Sequence, residues 1–305
     1  MTTVSRRDFG KIGLTLMSTI PFLCLTQARA RSFVNGTLHS FSDGIMNLPI
    51  EMLWDSAPAS ELKKILSEET DKVDVVSRPV NVNLLDTGDR KILFDAGSGT
   101  NFLSSLGQLP AALEAANVDV GAVTDVVFTH AHPDHIWGII DDFDDLLMPD
   151  ATYHIGREEW NFWDSDNAIS AMPEGRENFA VGAKTRFDMI RENVNLFDPG
   201  AEVLPNIEAV NTAGHTPGHM SFLIHDPKRP VLIAGDALTH SLISFRHPEW
   251  RTQSDMDPDL AARHRSVILK RLFDEKIELA GTHLPAPGFG YVEKHESAWR
   301  YVAID

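Results

Sequence analysis

The stretch Thr129-His130-Ala131-His132-Pro133-Asp134-His135 decides the reading of this chain. It gathers three imidazoles and a carboxylate directly after Thr124–Phe128, an apolar run that predicts a buried β-strand. His130 and His132 are two apart and project to one side, while the turn through Pro133 swings Asp134 and His135 toward a second point. Neutral imidazole suits zinc, iron and related ions, and a carboxylate can complete or bridge such a site. A solvated polar loop is the plainer alternative, but four ligand-type side chains at this spacing rarely meet by chance.

Three further segments supply what that cluster lacks. Gly214-His215-Thr216-Pro217-Gly218-His219 follows a strand-like run at Ile207–Val210. Val231–Ala234 is an apolar strand that ends in Gly235-Asp236, and Ile277–Ala280 leads into Gly281-Thr282-His283. Each short β-run delivers one ligand to the loop beyond its end, the usual way open α/β sites are assembled. The sum is five histidines and two aspartates, enough for two ions sharing one carboxylate.

In order, these motifs (HxHxDH, GHTPGH, an apolar strand ending in GD, then GTH) resemble the metallo-β-lactamase superfamily from about Val80 to His283. The resemblance implies an αββα sandwich of the α/β class. It also implies one ion held by His130, His132 and His215, and a second held by Asp134, His135 and His283, with Asp236 bridging both. Asp134 and Asp236 are then the carboxylates at the reacting centre. Asp95, in Leu93-Phe94-Asp95-Ala96-Gly97, matches the superfamily's first motif, an outer carboxylate that orients a ligand imidazole. The implied reaction is attack of a metal-bridging hydroxide on an ester-like small molecule, with two divalent ions as cofactor. Zinc comes first, with iron, manganese or cobalt as alternatives. No G-x-S-x-G elbow competes for the role of nucleophile.

The C-terminal third, Gly235–His240, Ser244–Trp250 and Thr282–Gly290, is similar to the methyl-parathion-hydrolase-like group, which implies aryl ester or phosphotriester substrates. The alternative is a quorum-quenching acyl-homoserine lactonase, although no tyrosine follows the Gly-Asp motif as it does in well-known lactonases. A non-enzyme, an exported metal- or ligand-binding protein on the same fold, is the third reading. Trp160 and Trp163 are candidates for the substrate pocket, ordinary helix packing being the competing reading. His240 is a candidate beside the leaving group, although His219 and His240 both fit structural roles better.

Composition sets outer limits. The chain's 305 residues and 43% hydrophobic content fit one large domain. Arg6, Arg7, Lys11 and Arg29 against Asp8 give the first thirty residues a net +3, so a formal charge of −17 leaves the remainder near −20. So acidic a surface repels a phosphate backbone, and nucleic acid is not expected as a partner. Ser5-Arg6-Arg7-Asp8-Phe9-Gly10-Lys11, the apolar stretch Ile12–Leu25 and Ala28-Arg29-Ala30 read as a twin-arginine signal over residues 1–30 with cleavage after Ala30. The expectation is a periplasmic or secreted protein, residues 31–305 forming the hydrolase domain, with no stable membrane insertion after cleavage and a homodimer as one assembly. The single cysteine, Cys24, falls in the signal, so His and Asp alone are left as ligands.

The remaining pattern supplies a scaffold. Val80–Leu85 and Lys91–Phe94 predict a hairpin, Phe222–His225 and Val231–Ala234 a second strand pair. Pro110–Asn117, Gly156–Trp163, Asn178–Asn193 and Pro258–Lys276 predict helices, the last capped by Asp257.

Overall fold

The computed structural model describes residues 29–34, 36–54, 57–70 and 73–304, the side chain of Met52 excepted. The twin-arginine pattern, the apolar stretch and Cys24 lie outside the described residues.

Two seven-stranded sheets each take a continuous half of the described chain. The first contains β1 (Arg29–Phe33), β2 (Gly36–Pro49), β3 (Val75–Asp86), β4 (Lys91–Phe94), β5 (Asp125–Val127), β6 (Thr152–Gly156) and β7 (Val194–Phe197), side by side in chain order. Its first four strands are antiparallel, and from β4 onward the pairing is parallel. The second contains β8 (Glu202–Leu204), β9 (Ile207–Asn211), β10 (Met220–Ile224), β11 (Val231–Ile233), β12 (Glu278–Ala280), β13 (Phe289–His295) and β14 (Ala298–Ala303). Only β11 and β12 run parallel there, joined by a crossover through the helix Pro258–Glu275. Asp257 caps that helix, its Oδ1 accepting from Leu260 N at 3.0 Å.

Strand alternation sorts the core into layers. In β11, Val231 and Ile233 face the cluster between the sheets, with Phe94, Val127 and Phe222, while Leu232 turns outward to Ile268, Leu269 and Leu272 of the long helix. Across the first sheet, Val126 and Tyr153 face outward to Trp160, Trp163, Phe187 and Ile190 of the helices Arg157–Trp163 and Glu177–Ile190. Helix, sheet, sheet, helix is the αββα sandwich expected from the motifs. No helix among the described residues is long and apolar enough to cross a membrane.

Candidate metal centre

Seven ligand-type side chains converge where strands of both sheets end. Phe128 and Thr129 carry the chain from β5 into His130–His135, and the short helix Pro133–Ile136 turns Asp134 and His135 back toward the centre. From the second sheet, loops after β9, β11 and β12 bring His215, Asp236 and His283.

The atoms fall into two clusters. His132 Nδ1 lies 3.0 Å from His130 Nε2 and 2.9 Å from His215 Nε2, and His215 Nε2 lies 3.3 Å from Asp236 Oδ2. On the other side, Asp236 Oδ1 is 3.1 Å from His135 Nε2 and 3.2 Å from His283 Nε2. Asp134 Oδ2 is 3.5 Å and 3.4 Å from the same two nitrogens. Ligands about 2.0–2.1 Å from a tetrahedral ion are about 3.3 Å from one another, so these spacings are edges of two coordination shells sharing Asp236. His135 Nε2 and Asp236 Oδ1 are buried without any hydrogen-bond partner despite their proximity. Orphaned polar atoms aimed at one point are costly unless something there takes their lone pairs. The residues present therefore fit a pair of divalent ions.

Electrostatics agree. Burial, reinforced by neighbouring imidazoles, holds His130 and His132 far below the ordinary histidine range, in the neutral ligand form. Burial also acts to lower His283, but Asp236 and Asp134 outweigh it and push the group up to about 9. His135 is raised likewise, its burial outweighed by Asp134, Asp95 and Asp236. Burial pushes Asp134 and Asp236 up, yet the surrounding imidazoles hold both well below the carboxylate range. The cluster thus calls for positive charge beside its carboxylates, which a dication supplies.

Around the ligands, the far ring nitrogens are engaged. His135 Nδ1 donates to Asp95 Oδ2 at 2.8 Å, His215 Nδ1 to Asp255 Oδ1 at 2.9 Å and His283 Nδ1 to Pro79 O at 2.8 Å. Thr129 Oγ1 donates to Asp95 Oδ2 at 2.9 Å and accepts from His130 Nδ1 at 3.0 Å. Each such bond leaves Nε2 with a lone pair toward the centre. Asp95, at φ 61°, thus holds His135 directly and His130 through Thr129. His219 positions Asp236 from behind: its Nε2 accepts from Asp236 N at 2.9 Å, and its Nδ1 pairs with Thr212 Oγ1 at 2.9 Å. Gly235 sits at φ 54° with space for no side chain, since a Cβ would stand 2.7 Å from His219 Nε2.

Two supporting carboxylates escaped the sequence reading. Glu159 accepts from Ala131 N (2.9 Å), Trp163 Nε1 (2.6 Å), Thr216 Oγ1 (2.7 Å) and Gly218 N (3.0 Å), so it ties the His130–His135 loop to the His215 loop. Asp255 joins His215 to Arg265 Nη2 at 3.0 Å, and Arg265 in turn holds the carbonyls of Ala237, Pro248 and Trp250. A signal for Glu159 did exist: helical spacing puts this acid on the same face as Trp163, four residues on.

A cavity of about 380 Å³ opens on the centre, with His132, Asp134, His215, Asp236 and His283 in its wall. Met46, Leu48, Leu53, Phe102, Leu103 and Phe179 form its apolar side, and Arg78, Asn101, Arg176, Asn178 and Ser254 its polar side. A side chamber of about 170 Å³ extends past His132 toward Met172, Pro173 and Met256. The three candidate pocket residues lie elsewhere. Trp160 stacks on Phe187 with ring centroids 4.2 Å apart in the helix-layer core, and Trp163 is fully buried with its indole committed to Glu159. His240 packs edge-on against Trp54 and accepts from Leu242 N, behind the cavity. For the two tryptophans the contacts follow the competing reading, ordinary helix packing.

Comparison with known proteins agrees with this geometry. The family model described as the metallo-beta-lactamase superfamily matches residues 75–283. Uncharacterized protein YobT of Bacillus subtilis (strain 168) is 29% identical over 162 residues, 52% of this chain and 62% of the relative's length. Among solved structures, AidC, a dizinc quorum-quenching lactonase in complex with a product, N-hexanoyl-L-homoserine, superposes with a TM-score of 0.85. It is 26% identical and covers 92% of this chain and 98% of its own. The hydrolase AbOPH, in the beta lactamase superfamily, has the same TM-score of 0.85 at 23% identity over 92% of this chain and 98% of its own. A probable metal-dependent hydrolase from Staphylococcus aureus reaches 0.72 at 18% identity, over 90% of this chain and 99% of its own. The latter two speak to the fold. With two ligand clusters at the junction of its sheets, this chain belongs to the metallo-β-lactamase superfamily.

Proposed function

We propose that the protein hydrolyses carboxylic esters of small, partly apolar molecules, lactones among them, with two zinc ions as cofactor. The observation that carries this reading is the mixed cavity opening directly on a shared-carboxylate ligand set. It is supported by the 26% identity to a dizinc lactonase across nearly the whole of both chains.

When bound, the ions supply Lewis acidity and a nucleophilic water at neutral pH. His130, His132, His215 and Asp236 would hold one, and Asp134, His135, His283 and Asp236 the other. The chain's own contribution is placement. Asp95, Asp255, Thr129 and the Pro79 carbonyl fix the imidazole tautomers, so the ligands need no rearrangement during reaction. Asp134 and Asp236 stay ionised through the neutral range, the form in which a carboxylate holds a divalent ion. The apolar wall excludes water from the acyl portion and strengthens the local field.

The test compares kcat/KM of zinc-loaded protein on a medium-chain acyl lactone, an aryl carboxylic ester and an aryl phosphotriester. We expect the lactone or carboxylic ester to lead the phosphotriester by about a hundredfold, ~2.7 kcal/mol of differential transition-state binding. The reverse order would assign the protein to phosphotriesters, and no turnover with both ions bound would remove the hydrolase reading of this site. Export through the twin-arginine route is part of the same proposal, and amino-terminal sequencing of the exported protein should begin at Arg31.

A further inference from the structure

The cavity contains a cation that the ligand clusters do not account for. Arg78, on β3, is 3% exposed. Among the described residues its one hydrogen bond is a long one, from Nη2 to Thr239 Oγ1 at 3.4 Å, and Nε is buried with no partner. The guanidinium carbon lies 5.6 Å over the Trp54 ring. A guanidinium has five N–H donors, so most of its hydrogen-bonding capacity is unspent, and a buried charge is costly unless paired.

Other arginines of the described chain do meet carboxylates: Arg90 with Asp125, Arg191 with Asp164, Arg246 with Glu68, Arg265 with Asp255. The two arginines on the cavity wall, Arg78 and Arg176, form no ion pair among the described residues, and Arg176 reaches only Gln253 O at 3.4 Å. Asp236, Asp134 and Asp255 draw on Arg78 from a distance, but each is already committed. Asp134 and Asp236 belong to the ion clusters, while Asp255 holds His215 and Arg265. With divalent ions in both clusters, Asp134 and Asp236 would have no charge to spare for Arg78. Arg78 shares the cavity wall with Asp134, Asp236 and His283 of the second cluster.

We propose that Arg78, with Arg176 on the same wall, forms a subsite for a carboxylate, so that the preferred ester carries a second, ionised acid group. This rests on the ester reading above. A planar guanidinium matches a carboxylate in a bidentate pair, and the apolar neighbours Leu48 and Leu53 keep the pair poorly solvated. The subsite is then a specificity device: it selects among esters and leaves the bond-breaking to the centre.

The test uses the full chain loaded with zinc, its metal content measured in each variant. One arm compares 4-nitrophenyl hydrogen glutarate with its methyl-capped, uncharged counterpart. We expect the wild type to favour the anionic ester by about tenfold or more in kcat/KM, R78M to abolish that ratio and R78K, which keeps the charge but not the fork, to retain part of it. The second arm measures binding of glutaramate against glutaramide by calorimetry, where R78M should weaken only the anion, again about tenfold. A wild type with no preference in either arm overturns the proposal whether or not R78M folds. So does R78M lowering both esters equally, which would make Arg78 a strut under Trp54 or a group acting on the reaction itself. If neither ester is hydrolysed with both ions bound, the ester reading fails, and the binding arm alone decides the subsite.

Discussion

Asp236 offers one oxygen to each ligand cluster. Asp236→Ala should therefore reduce bound metal from two equivalents to about one and cost ~10³-fold or more in kcat/KM, as read by metal analysis and steady-state kinetics. His283→Ala should do the same through the second cluster alone. Glu159 acts at one remove. In Glu159→Gln the amide group must face either Gly218 N–H or the pair Ala131 and Trp163, donor against donor. We expect about a ten- to hundredfold loss of metal affinity with a lowered Tm. His240 carries a pH prediction: burial, then Arg78, lowers it from 6.5 to about 3. Between those values the unfolded chain binds the proton in preference, so this contribution is complete above pH 6.5 and is lost as the pH falls toward 3. Thermal unfolding from about pH 7 to 5 should show a falling Tm, less steep in His240→Asn, whose carbonyl can still accept from Leu242 N. At this scale the sequence was readable where chemistry is local: His130 to His135 announce themselves by spacing. Asp255 meets His215 across 40 residues and Glu159 meets Gly218 across 59, partnerships that no local pattern encodes.

Among the elements, β3 does more than pair with its neighbours. Asn81 Nδ2 donates to the carbonyls of Gly281 (3.1 Å), Thr282 (3.0 Å) and Leu284 (2.8 Å), clamping the loop that carries His283. Asn81→Ala strands those carbonyls and should loosen the Asp134–His135–His283 cluster while sparing His130–His132–His215. Metal titration should then separate into one site near wild-type affinity and one weakened about tenfold or more. The hairpin of β3 and β4 was legible from its alternation and glycine turn, and the long helix Pro258–Glu275 from its proline and aspartate start. β2 was not legible. Its 14 residues include a register shift between Ser42 and Gly44, where the backbone approaches Ser105 O too closely for any side chain, and polar residues interrupt the alternation. The β13–β14 hairpin escaped as well, because its exposed face mixes charged and aromatic residues without a clean period.

For the whole molecule, the ions join what the strands leave separate. Sheet one supplies His130, His132, Asp134 and His135; sheet two supplies His215, Asp236 and His283. Chelation should therefore lower the global Tm by about 10 °C or more, with recovery on adding zinc, as followed by calorimetry. The class of fold was readable because ligand order along the chain is the order of strand ends. The cavity's contents were not, since its walls come from segments more than two hundred residues apart, from Met46 to His283.

The division into halves reaches further. The first sheet closes at Phe197 and the second opens at Glu202, with only the turn Asp198–Ala201 between. Neither half contains a complete ligand cluster, since His130 and His132 await His215, and Asp134 and His135 await His283. A chain cut between Pro199 and Gly200 would thus yield two fragments, each with half of a grip. Their reassembly would register the concentration of free divalent metal, with the ions serving as the tether that the peptide bond had been.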